Sequence, residues 1–154
     1  AIRARREHLE GIVSIFPWIA TVDAFQHWIY THPGHSRDER DGAWNKLRAR
    51  FGGDIDVSGY ELAHTKMWHR QLHIFLIPFY YIEYGIAQLG ALWVWKKSKS
   101  NRAEALADYK RALALGGSRP LPELFQAAGA PVSFDTESFK PLIELVQTEL
   151  AALK

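Results

Sequence analysis

Apolar positions recur at three- and four-residue spacing along nearly the whole chain, and no stretch alternates with a period of two. Residues 3–32 carry Leu9, Ile12, Val13, Phe16, Ile19, Ala20, Val22, Phe25, Trp28 and Ile29 at that spacing, which predicts a helix that Pro17 kinks or divides. Thr31-His-Pro-Gly-His35 ends it in a turn. Ser36-Arg-Asp-Glu39 reads as a capping box opening a helix that stops at Gly52-Gly53. Ser58-Gly-Tyr-Glu61 reads as a second box, with a helix running toward Trp68 and His69. A strongly apolar helix is predicted from about Pro78 to Trp95, since proline suits a first helical turn. Asn101-Arg-Ala-Glu104 caps the next, closed by Gly116-Gly117. A short helix covers roughly Pro122 to Ala128, and Asp135 caps a last one with Leu142, Leu145, Val146, Leu150 and Leu153 on one face. The fold class is therefore all-α, a single helical unit over residues 1–154 without an obvious linker or internal repeat.

A chain of 154 residues is long enough for a real core, and 47% hydrophobic against 23% charged residues reads as globular. A net charge of +2, with its basic residues scattered, gives no nucleic-acid footprint. Cysteine is absent, which removes disulfides, thiolate nucleophiles and cysteine metal sites, and fits a reducing cytoplasm. From Ile74 to Trp95 the only formal charge is Glu83, so a membrane span of about 20 residues has to be weighed. Glu83 and Gln88 within the run, three tyrosines near one end and the lack of a second span favour a buried helix and no membrane partner. The chain opens Ala1-Ile-Arg-Ala-Arg-Arg6 inside a helical pattern, which reads as a piece of a longer protein.

Candidate chemistry gathers around His73 and the tyrosines. On a helix starting near Pro78, Tyr81 and Tyr84 share a face and Tyr80 lies beside Tyr84. Phenols and an imidazole near a helix start suit a developing oxyanion, while aromatic residues at helical spacing more often serve a core. His69-Arg-Gln-Leu-His73 has the histidine spacing of the zincin motif H-E-x-x-H, but Arg70 stands where the glutamate base belongs and no third ligand is evident. His27, His32 and His35 cluster at a turn, where a solvated loop explains them better than weak metal binding does. No phosphate loop, nucleophile elbow or carboxylate pair suggests other catalysis.

Four segments go further. Ala20-Thr-Val-Asp-Ala-Phe-Gln-His-Trp-Ile-Tyr-Thr-His-Pro-Gly-His35, Trp68-His-Arg-Gln-Leu-His-Ile-Phe75, Pro78-Phe-Tyr-Tyr-Ile-Glu-Tyr-Gly-Ile-Ala-Gln-Leu-Gly90 and Ala112-Leu-Ala-Leu-Gly-Gly-Ser-Arg-Pro-Leu-Pro-Glu-Leu-Phe125 together resemble the oligoendopeptidase F-like members of the thimet-oligopeptidase-like family of zinc metallopeptidases. The resemblance runs in order over essentially the whole chain. It implies a bundle-like C-terminal part of a larger helical zincin catalytic domain, acting on short peptides. It also implies zinc in the full-length enzyme, bound upstream by an H-E-x-x-H helix and a further glutamate. This chain holds neither, so no metal ligand is assigned to it and the chain alone is expected to be inactive, with the upstream part of the enzyme as its partner. By the same resemblance, Tyr84 donates to the tetrahedral oxyanion, Tyr81 holds a substrate carbonyl or carboxylate, and His73 hydrogen-bonds the substrate backbone. His69 and Tyr80 are further candidates for substrate contact. The competing reading is a non-enzymatic helical interaction module.

Overall fold

A computed structural model describes residues 2–131 and 133–153. Eight α-helices succeed one another among them, with no strand: α1 (Ile2–Thr31), α2 (Arg37–Phe51), α3 (Glu61–Thr65), α4 (His73–Leu76), α5 (Ile82–Ser100), α6 (Arg102–Leu115), α7 (Leu121–Ala127) and α8 (Thr136–Ala152). The all-α reading holds. No helix is long and apolar enough to cross a membrane among the described residues.

Local rules account for most boundaries. Ser36 accepts the Glu39 N–H while Glu39 reaches back to the Ser36 N–H at 2.8 Å, the reciprocal bonding of a capping box. Asn101 and Asp135 cap α6 and α8 through the N–H groups of Glu104 and Ser138. Pro17 does not divide α1, which runs through it for 30 residues.

Three expectations fail locally. The box read at Ser58 does not form: Ser58 turns its hydroxyl and its N–H to the Asp56 carboxylate, and α3 starts after Tyr60 without a side-chain cap. Instead of a continuous helix to His69, the chain makes five residues of α-helix and then a 3₁₀ turn over Met67–Arg70. Pro78 is not the first residue of the apolar helix either. Ile77, forced toward extended backbone before a proline, sits at φ −140°, and Phe79 adopts φ 62°. The Tyr80 N–H closes on the Ile77 carbonyl at 3.2 Å, so Ile77–Tyr80 is a turn with Pro78 at its second position. Helix α5 begins at Ile82 and continues past Trp95 to Ser100.

Where the sequence reads as one unit, packing groups the chain into two compact ones: Glu10–Gly85, and Ala1–Leu9 with Ile86–Lys154. Both divisions fall inside helices, α1 and α5, where no linker composition marks them. The core of the first unit is Val22 and Phe25 of α1, Ala43 and Trp44 of α2, Trp68 and Ile74. Phe25 meets Trp44 and Trp68 at ring centroids of 5.1 and 5.6 Å, within the range where aromatic pairs attract beyond their burial. The polar atoms of its two tryptophans are paired: the Trp68 indole donates to Asp41 at 3.1 Å, Lys66 pairs with the same carboxylate, and the Trp44 indole donates to the His64 carbonyl at 3.2 Å.

The second unit buries Leu89 and Leu92 of α5, Ala105 of α6, Ala130, and Leu142 and Val146 of α8. Gly90 lets α5 approach α7 closely, because a Cβ there would stand 2.6 Å from the Phe125 ring. Lys97 of α5 pairs with Glu104 at 2.8 Å and with Asp108, and Arg111 donates to the Ala127 carbonyl at 3.1 Å.

Candidate active site

The aromatic cluster lies wholly within the first unit, and the turn at Ile77–Tyr80 builds it. His73 opens the single turn of α4, the chain reverses at Pro78-Phe79, and Tyr80 and Tyr81 lead into α5. Phe79 anchors the reversal, with its ring 4.9 Å from His27 and 5.0 Å from Tyr30 of α1. The carbonyls of Tyr80 and Tyr81 accept from Glu83 and Tyr84 N–H at 3.0 and 3.3 Å, so helical spacing between the tyrosines survives the later helix start.

Four of the five candidate side chains come together. The His73 ring lies parallel to Tyr80 (6.0 Å, 14°) and edge-on to Tyr81 (5.0 Å) and Tyr84 (5.7 Å). Tyr84 also packs edge-on against Tyr80 and Tyr81, at 5.8 and 5.1 Å. His73 Nε2 is 3.2 Å from the Tyr84 hydroxyl. Tyr80 and Tyr84 remain 45% and 42% exposed, whereas Tyr81 packs against the hydrophobic core. Tyr81 is half-buried. Burial raises its phenol above the ordinary tyrosine range, Trp18's hydrogen bond partly opposes this, and Tyr84 adds to the rise, leaving Tyr81 protonated and able to donate at neutral pH.

His69 stands apart from this group among the described residues, its ring edge-on to Trp68 at 4.0 Å. The i, i+4 relation read between His69 and His73 is not realised, because the chain leaves helical geometry at Gln71 (φ −87°, ψ 89°). His32 stacks on Trp28 at 4.7 Å, and His35 Nε2 accepts from Arg40 Nε at 2.7 Å, so the turn histidines are engaged locally. Among the described residues no three His, Asp or Glu side chains converge to hold a metal ion.

Two residues absent from the sequence reading touch the cluster. The Gln71 carboxamide nitrogen is 2.7 Å from His73 Nδ1, so both imidazole nitrogens are engaged. The Trp18 indole donates to the Tyr81 hydroxyl at 2.9 Å. Trp18 lies 63 positions from Tyr81, and nothing in its spacing marks the pairing.

A large apolar cleft, about 600 Å³ in the second unit, is lined by Gly90, Val94, Trp95, Leu113, Leu124 and Phe125 among others. Tyr109 is the only titratable residue on its walls among the described residues, whereas the aromatic wall combines imidazole and phenols.

The profile of peptidase family M3 matches residues 1–139. PZ peptidase A, solved with an inhibitor, is similar at 32% identity and a TM-score of 0.88 over 96% of this chain. An oligoendopeptidase F solved at 3.1 Å gives 32% and 0.84 over 97%, and one from Bacillus anthracis str. Ames gives 30% and 0.74 over 96%. The chain spans 26% of each of the first two proteins and 23% of the third. No curated protein matches the chain.

Proposed function

The chain belongs to peptidase family M3, and we propose that it supplies one wall of the substrate cleft of a zinc-dependent oligopeptidase acting on short peptides. In this reading Tyr84 donates to the oxyanion that forms when the scissile carbonyl is attacked. Tyr81 donates to a neighbouring carbonyl or to a carboxylate, and Tyr80 offers its exposed ring to the substrate. His73 steadies Tyr84, since a direct bond to the substrate backbone would require one of its two present bonds to open. His69 keeps only a flanking role. Zinc, with its ligands and the general base, belongs to other parts of such an enzyme. A cytoplasmic setting and inactivity of this chain without the rest of the enzyme complete the proposal.

One observation carries the reading: two phenols with rings 5.1 Å apart stand beside one imidazole, on an accessible surface. Preorganised donors of this kind stabilise charge as it develops and lower the barrier without tightening ground-state binding. In a full-length peptidase carrying this chain, Tyr84→Phe is expected to lower kcat on the order of 100- to 1000-fold, the usual consequence of removing one oxyanion donor. KM and zinc content should stay close to the parent's. Near-normal turnover of a short peptide by that variant would defeat the assignment.

A further inference from the structure

We infer that Gln71 and Trp18 are positioning residues that direct hydrogen-bond polarity through the cluster, so that Tyr81 and Tyr84 both present O–H groups outward. The inference rests on the proposed function for its catalytic meaning, but its geometry stands by itself.

The first path starts at Gln71. With its nitrogen turned to the ring the Gln71 carboxamide donates, and His73 Nδ1, 2.7 Å away, accepts. A neutral imidazole whose Nδ1 holds a lone pair carries its proton on Nε2. That N–H faces the Tyr84 oxygen at 3.2 Å and donates to it. The Tyr84 hydroxyl, already accepting from behind, is left to donate forward.

The second path is shorter. An indole nitrogen is a donor only, so at 2.9 Å the Tyr81 oxygen accepts from Trp18 and its own proton is free to point elsewhere. Packing holds Trp18 in place, since its ring meets Trp44 edge-on at 5.7 Å and the Arg48 guanidinium lies 5.3 Å over it. Both paths run in one direction and end in a phenol proton.

The consequence is a rule of selectivity. Two outward O–H groups suit an oxygen that can only accept, such as a peptide carbonyl, a C-terminal carboxylate or a tetrahedral oxyanion. A protonated amine offers no lone pair and cannot accept from either group. Had Gln71 been an acceptor, Nδ1 would carry the proton, Nε2 would accept from Tyr84, and the hydroxyl most needed for the oxyanion would be turned inward.

Nitrogen NMR of the His73 ring tests the first path without reference to activity. At neutral pH the wild-type chain should show Nε2 protonated and Nδ1 bare. Gln71→Glu, whose carboxylate only accepts, should move the proton to Nδ1. A wild-type ring protonated at Nδ1, or a ring unchanged by Gln71→Glu, overturns the inference. For the second path, Trp18→Phe keeps an aromatic ring but removes the donor, and the Tyr81 phenol should titrate at higher pH, because Trp18's bond favours the phenolate. An unchanged titration removes Trp18 from the scheme.

In the full-length enzyme, Gln71→Glu should lower kcat roughly tenfold with little change in KM, as loss of an orienting partner typically does. If the tautomer behaves as expected while Tyr84→Phe keeps full turnover, the catalytic reading fails and the positioning stands. If Tyr84→Phe is inactive but His73 carries its proton on Nδ1, the reverse holds.

Discussion

Phe79 is the one non-glycine residue with positive φ among the described residues, at 62°. An L-side chain there crowds the carbonyl oxygen, at a cost of about 1–2 kcal/mol per residue relative to right-handed backbone. The strain persists because the ring packs against His27 and Tyr30 and because Pro78 fixes the preceding position of the turn. The same turn delivers Tyr80 and Tyr81 to the cluster, so strain and site coincide. Truncation separates the two effects. Phe79→Ala loses the ring contacts and keeps the strained backbone, whereas Phe79→Gly loses the contacts and relieves it. The glycine variant is therefore expected to be the more stable of the two by about 1 kcal/mol, the reverse of their order in a helix. Chemical denaturation of both variants checks this, and an alanine variant of equal or greater stability would refute it. The residue types of the cluster were legible in sequence, since Tyr81 and Tyr84 keep their spacing whichever residue begins the helix. The strained φ was not, because glycine is the usual signal for it and phenylalanine gives none.

At the scale of elements, legibility depended on how local the deciding interaction is. Ser36 and Glu39 satisfy each other three residues apart, and the box read there formed. Ser58 and Glu61 have the same spacing, yet Asp56 two residues upstream takes the Ser58 hydroxyl, and Glu61 accepts instead from Gly59 N–H at 3.0 Å. A motif of four residues does not record a competitor outside it. The distinction is measurable. Ser36→Ala should cost about 1 kcal/mol, as loss of a helix cap does. Ser58→Ala removes only an exposed loop contact and should cost clearly less, visible as a smaller drop in thermal midpoint. Equal losses would mean that Ser58 does cap α3. The start of α5 failed for a related reason: proline suits the first turn of a helix and the second position of a β-turn alike, and the φ of Phe79 decides between them.

Over the whole molecule, the all-α class and the family were readable because periodicity and motif order extend along the chain. The division into two packed units was not, because it falls within continuous helices. Trp18 and Gln71 escaped for the complementary reason, that their roles exist only once the chain has folded. Each unit also carries an ion pair whose carboxylate is held below its ordinary range. In the first, burial pushes the Asp41 carboxyl up, but hydrogen bonds from Lys66 and Trp68 with the Lys66 charge outweigh it and hold the group below its ordinary range. In the second, the hydrogen bond from Lys97 holds Asp108 low against the opposing effect of burial, with Arg111 assisting. A carboxylate with a lowered folded pKa adds stability above the unfolded value, about 3.9 for aspartate, and loses it as pH falls through the folded value. Acid should therefore destabilise the chain progressively below about pH 4. Asp41→Asn and Asp108→Asn should each be less stable than wild type at neutral pH, and the gap should close as the wild-type carboxylates protonate. Denaturation midpoints measured from neutral to acidic pH decide the matter: a gap that stays constant or widens in acid would show that these carboxylates stabilise the fold through packing and not through their charge.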